Sequence, residues 1–293
     1  MSRLRFPKQR RAFTRVELLA IIALVGTLIG LLMPAVLKMR EAAARSKCAD
    51  NLREMAIAVH KCEDVMGMFP PTTGWFPNYD SKTGGHQGGY GSFFWHLLPF
   101  VGEENLWESG AEPFGRNPTT GKPAMVHFPW NQSVVGTSLK TYTCSSDPTF
   151  SPNAWPGRGS YVVNYQVTQC FGANPRIPAK FHDIISKTPL ITERLAECGS
   201  HFTAWMWWGN PNDPNTPCFA YSPTGPSSRY LTAAKASECV PGYAVTPHGR
   251  AGINVAMCDG SVRLVNAEIS ARTWWFALVP WDGVGIDWWG NDW

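Results

Sequence analysis

The stretch Phe13-Thr-Arg-Val-Glu-Leu-Leu-Ala-Ile-Ile-Ala-Leu-Val-Gly-Thr-Leu-Ile-Gly-Leu-Leu-Met-Pro-Ala-Val-Leu37 decides the reading of this chain. From Leu18 to Leu37 no side chain is charged. At about 1.5 Å per residue, that run makes a helix roughly 30 Å long, the thickness of a bilayer's hydrocarbon core. Glu17 stands at its mouth. Ahead of Phe13 lie Arg3, Arg5, Lys8, Arg10 and Arg11, with no acid among them. A basic end retained in the cytoplasm and a downstream part sent across the membrane follow from that charge layout.

The formal net charge of the 293 residues is +4, and the five cations of the leader leave the remainder at −1. The exported part therefore has no concentrated basic face, and nucleic acid is not an expected partner. Eight cysteines at 48, 62, 144, 170, 198, 218, 239 and 258 form no CxxC pair, so zinc-ribbon spacing is absent. In an oxidising compartment they favour disulfides, in any of 105 connectivities.

Beyond Leu37 the helical period continues in a different composition. Cys48, Leu52, Met55, Val59, Cys62 and Met66 fall at steps of four and three, one apolar stripe. Gly67 and Pro70-Pro71 stop the helix. The first half needs lipid or neighbouring helices, and the second needs a domain laid on its stripe. Cys48 and Cys62 cannot pair with each other, since fourteen helical positions separate them by roughly 21 Å.

Residues 68–125 are Gly- and Pro-rich and read as long loops, with a short apolar helix or turn at Ser92–Phe100. Residues 129–160 read as loop. Strand candidates are Ser160–Tyr165, Pro189–Glu193 and the alternating His201–Trp208; residues 209–229 read as a loop holding Cys218. Ile253-Asn-Val-Ala-Met-Cys-Asp-Gly-Ser-Val-Arg-Leu-Val265 has two alternating runs joined at Asp259-Gly260, a two-residue hairpin signature in which both turn positions want positive φ.

Phe13-Thr-Arg-Val-Glu-Leu-Leu19 resembles the start of type IV prepilins and pseudopilins. The resemblance implies peptidase cleavage between Ala12 and Phe13, N-methylation of Phe13, and a helix that bends or melts near Pro34. It also implies that Glu17 meets the amino terminus of a neighbouring subunit. At 4 Å such a pair is worth on the order of 4 kcal/mol for an effective dielectric near 20. Ala12 stands where that family usually has Gly, and Arg15 where Leu is usual. Three other readings of the N-terminus stay open: an uncut anchor, an ordinary secretory signal, and a twin-arginine signal at Arg10-Arg11.

The segments 45–61 and 66–71, with His248 ahead of Asp259-Gly260, narrow the match. The chain resembles the pilin-like proteins abundant in planctomycetes, which carry a C-terminal His-X9-Asp-Gly motif and the DUF1559 domain. Here ten residues, not nine, separate His248 from Asp259. Cys144-Ser-Ser-Asp147 resembles that family's Cys-Pro-Ser-Asp element, and the resemblance implies a Cys48–Cys144 disulfide.

His248 and Asp259 read as structural rather than catalytic, because no nucleophile signature accompanies them. No cofactor is expected. Ca²⁺ on Asp282, Asp287, Asn291 and Asp292 is the metal alternative, although their spacing is not that of an EF-hand.

Together these readings give an α+β, pilin-like chain: one long N-terminal helix packed on an antiparallel sheet head with long loops. The expected divisions are a basic leader at 1–12, a helix at 13–67 with its membrane segment near 18–37, and a head at 68–293. The expected role is a non-enzymatic subunit or accessory of a type IV pilus or type II secretion-like filament. It would sit single-pass in the inner membrane, N-terminus cytoplasmic and head outside. Its partners would be prepilin peptidase and like or related subunits. The alternative is a membrane-anchored lectin or adhesin using the tail from Thr273 to Trp293, which holds six Trp.

Overall fold

The computed structural model describes residues 15–77, 88–116, 123–154, 156–169, 185–207, 209–210, 212–221, 230–232 and 235–280. Ala12, Phe13, the candidate Ca²⁺ residues and the four Trp beyond residue 280 lie outside these. Helix α1, Arg15–Met66, runs on through Pro34, where the resemblance implied a bend or melting. Gly67 closes it in the left-handed region (φ 70°), and its N–H donates to Glu63 O at 2.7 Å.

The chain divides into two units, Met1–Ala43 and Ala44–Trp293. In the first, the large apolar side chains between Val16 and Met39 are exposed. The division falls inside α1 rather than at its end, because the stripe beyond Ala44 belongs to the core of the second unit. Cys48, Leu52, Met55, Val59 and Cys62 are fully buried, joined by Ala56 and Ala58, with Asn51 buried beside them. Burial of a Leu, Met or Val is worth about 1.5–3 kcal/mol each. Met66, expected on the stripe, is exposed, since the helix has by then reached the edge of what it covers.

The stripe lies against a five-stranded sheet ordered Val262–Val265, Ile253–Met257, Pro189–Glu193, Tyr161–Asn164, Cys218–Phe219. Each of the first four strands is antiparallel to its neighbour among them, while Cys218–Phe219 pairs parallel with Tyr161–Asn164. The sheet is therefore mixed rather than purely antiparallel. Its three inner strands are buried at every position, which matches their nearly unbroken apolar sequences. Alternation assigns the faces. Tyr161, Val163, Ile191 and Ala256 join the cluster built on α1. Val162, Ile253, Val255 and Met257 point the other way, onto Trp274 and Leu278 of the Ala271–Leu278 helix.

A second, four-stranded sheet is ordered Thr73–Phe76, Gly89–Ser92, Pro123–His127, Ala111–Arg116. It occupies part of the region expected to be loops. Its glycines have a packing reason: a Cβ at Gly91 or Gly110 would collide with the buried Trp95 ring. Of the expected His201–Trp208 strand, His201–Phe202 forms a strand among the described residues and Ala204 makes an isolated bridge to Arg158, and the expected 209–229 loop contributes the Cys218–Phe219 strand. The Asp259-Gly260 turn also differs from the expectation. Gly260 alone has positive φ (82°), and Gly260 N donates to Met257 O at 3.0 Å. This is a turn whose αL residue is the glycine, so the Asp need not leave ordinary backbone space.

Candidate functional site

Glu193 ends an apolar strand, and Asn254 interrupts another; both side chains are buried. Glu193 shares its face with Ile191, and Asn254 with Ala256, so both polar groups point at α1. The loop after Val245–Thr246 brings His248 to the same place. Its Nε2 stands 3.0 Å from Glu193 Oε1. Nδ1 has no hydrogen-bond partner among the described residues, which assigns the proton to Nε2 in the neutral ring.

The carboxylate of Glu193 is held on both oxygens. Oε1 also accepts from Asn254 Nδ2 at 2.8 Å. Oε2 accepts from Thr246 Oγ1 at 3.2 Å and Asn254 N at 3.3 Å. Removing a fully buried carboxyl from water is costly, and this ring of donors is what offsets it.

The node reaches the helix in two ways. Asn254 Nδ2 donates to Arg45 O at 3.4 Å. Cys48 of α1 is bonded to Cys144, whose Sγ lies 3.9 Å from His248 Nε2. The sulfurs of Cys48 and Cys144, a carboxylate oxygen of Glu193 and a ring nitrogen of His248 all lie within 4.8 Å of one another.

The Cys144 loop is fixed by Asp147, three residues on. Asp147 Oδ2 accepts from Ser160 Oγ and Ala196 N, each at 2.7 Å, and Oδ1 accepts from Thr149 N at 2.9 Å and Thr149 Oγ1 at 2.7 Å. From the helix, Asn51 Nδ2 donates to Thr143 O at 2.8 Å, and Tyr161 Oη donates to Cys48 O at 3.2 Å. Burial pushes the Tyr161 phenol well above its ordinary value, with the charge of Glu193 acting in the same direction.

Sequence reasoning named His248, Cys48 and Cys144, and these three meet. It also named Asp259 and Gly260, and these stand apart from the node. Asp259 is exposed, and its Oδ1 accepts from Ser261 N at 2.9 Å and Ser261 Oγ at 2.6 Å. Sequence reasoning missed Glu193, Thr246 and Asn254 as members of the node. The available signal was an acid closing Pro-Leu-Ile-Thr and an amide inside Ile-Asn-Val-Ala-Met, each a polar residue where the strand is otherwise apolar. Glu17, expected to act in assembly, lies on α1 with its side chain exposed.

A second disulfide joins Cys198 to Cys239. Cys62 is a buried free thiol, and Cys218 and Cys258 are buried as well. By length and composition α1 is the one described helix able to cross a membrane, and a signal sequence near an N-terminus would satisfy the same description.

The chain matches no curated protein and no solved structure. A family model does match, over residues 37–272, a span that contains every residue of the node. The chain belongs to the family described as protein of unknown function (DUF1559).

Proposed function

We propose that this chain is a pilin-like structural subunit, or an accessory, of a type IV pilus or type II secretion-like filament. The observation that carries the reading is the two-part character of α1. Its first part presents Leu18 to Leu37 without a charge and with its large apolar side chains exposed. Its second part is built into the core of the head and bonded to it through Cys48. An apolar surface of that extent requires lipid before assembly and neighbouring helices after it.

In this reading prepilin peptidase cuts after Ala12, and the head is carried on the outer side of the inner membrane. Glu17 then meets the Phe13 amine of the next subunit. A carboxylate in hydrocarbon costs roughly 2.5–3.5 kcal/mol at the centre and less near the edge, so an ion pair there sets the register between helices. The role is structural and not enzymatic. Replacing Glu17 by Gln tests it. Membrane insertion of the variant is expected to be normal, and its incorporation into sheared or cross-linked filaments is expected to fall. Wild-type incorporation of Glu17→Gln would contradict the reading.

A further inference from the structure

We propose that Cys48, Cys144, Glu193 and His248 form a zinc site when the two cysteines are reduced. The tie between α1 and the head would then exist in two chemical forms, a disulfide and a metal bridge. This inference holds whether or not the chain assembles into filaments.

The donor set is the first support. Two thiolates, an imidazole nitrogen and a carboxylate oxygen are ligands that Zn²⁺ takes in four-coordinate sites. Geometry is the second. All four ligand atoms lie within 4.8 Å of one another, and all four residues are buried, as structural zinc sites require. Zinc bonds of about 2.3 Å to sulfur and about 2.0–2.1 Å to nitrogen or oxygen place an N and an O about 3.3 Å apart, and an S and an N about 3.6 Å apart. The corresponding separations are 3.0 Å from His248 Nε2 to Glu193 Oε1 and 3.9 Å from Cys144 Sγ to His248 Nε2. Small side-chain adjustments reach the tetrahedral values once the sulfurs are free to part.

The surroundings are the third support. Outer hydrogen bonds commonly orient metal-ligating carboxylates. Here Asn254 and Thr246 already hold Glu193 by three donors that do not involve His248. The remaining contact of Oε1 is the proton on His248 Nε2, and the metal takes the place of that proton. The ring proton moves to Nδ1, and the two thiols release one proton each to solvent. Conversion to the disulfide needs an oxidant of the disulfide class. The two thiolates each give up one electron and join, the oxidant's S–S bond breaks into two thiols that take up two protons, and Zn²⁺ departs.

The test uses the full chain in detergent, reduced with a phosphine under anaerobic conditions and titrated with Co²⁺, then Zn²⁺. One Co²⁺ per chain is expected, with a thiolate-to-cobalt charge-transfer band and the strong visible bands of tetrahedral cobalt. Zn²⁺ should bleach both. A small-molecule disulfide oxidant should expel the metal as two thiols disappear. His248→Gln and Glu193→Gln should each weaken binding by roughly tenfold or more. The double change Cys48→Ser with Cys144→Ser should abolish the charge-transfer band, and Cys198→Ser with Cys239→Ser should leave it. Near-UV circular dichroism reports whether each chain is folded. A folded, reduced wild-type chain that gives no thiolate–cobalt band overturns the proposal. So does a band that survives loss of Cys48 and Cys144, or a reduced chain whose lost tertiary signal Zn²⁺ fails to restore.

Discussion

The Nε2 of His248 lies 3.0 Å from Oε1 of Glu193, with both side chains sealed from solvent. One residue comes from a loop and the other from the end of a central strand, 55 positions apart. Removing one member of a buried polar pair leaves the other uncompensated, which costs about 3–5 kcal/mol when the pair is charged. Single substitutions His248→Leu and Glu193→Leu should each lower the urea midpoint strongly. The double variant should lose much less than the two singles together. A double-mutant cycle read by chemical denaturation measures this, and strict additivity would show that the two side chains do not depend on each other.

The two disulfides should differ in worth. Cys48–Cys144 spans 96 positions and Cys198–Cys239 spans 41. Loop-closure entropy gives about 4.7 kcal/mol for the first and about 3.9 kcal/mol for the second. Paired Cys→Ser variants under oxidising, metal-free conditions should therefore rank in that order in thermal unfolding. Breaking Cys48–Cys144 should also expose the α1 stripe, seen as faster amide exchange over residues 48–62.

Burial pushes the Cys62 thiol up to about 12, aided by the charge of Glu63. Cys218 is likewise pushed to about 12 by burial, against the opposing pull of Arg194. A thiol is reactive as its thiolate, so neither should alkylate in the folded chain at pH 8. Peptide mapping after iodoacetamide treatment should find both unmodified in native protein and both modified in denaturant. Labelling in the native state within minutes would contradict their placement.

His96 gives a pH dependence. Its Nε2–H donates to Gly74 O at 2.9 Å, and burial pushes its pKa down from 6.5 to about 4, overriding the backbone hydrogen bonds to Gly74 and Gly91. Between those values the unfolded chain binds a proton that the folded chain refuses. Stability therefore falls as pH drops from about 6.5 to about 4 and levels off below, by about 3 kcal/mol in total. His96→Gln should remove that increment from the difference between unfolding at pH 7 and pH 4. An unchanged difference would place the titration elsewhere.

The hydrophobic period carried α1, short apolar runs carried the strands around Tyr161 and Ile191, and alternation carried the one around Val255, because these residues answer to one face or one core. The sheet from Thr73 to His127 was not legible: its strands are built around glycines whose purpose is to admit Trp95, a contact that no local pattern announces. The turn at Gly260 was placed correctly but with the wrong backbone, since Asp-Gly suits both a two-residue turn and a longer one closed by glycine alone. Half of the node was legible through His248 and the two cysteines. Glu193 and Asn254 were hidden because a polar residue in a strand declares its role only when its partners arrive from the chain's other segments.

Cleavage ahead of Phe13 is the step on which the filament reading depends, because the amine it frees is the partner assigned to Glu17. Intact mass and N-terminal sequencing of the membrane-extracted protein measure it directly. The expected product begins at a methylated Phe13 and lacks the twelve-residue basic leader. A mature protein that still begins at Met1 would contradict the account.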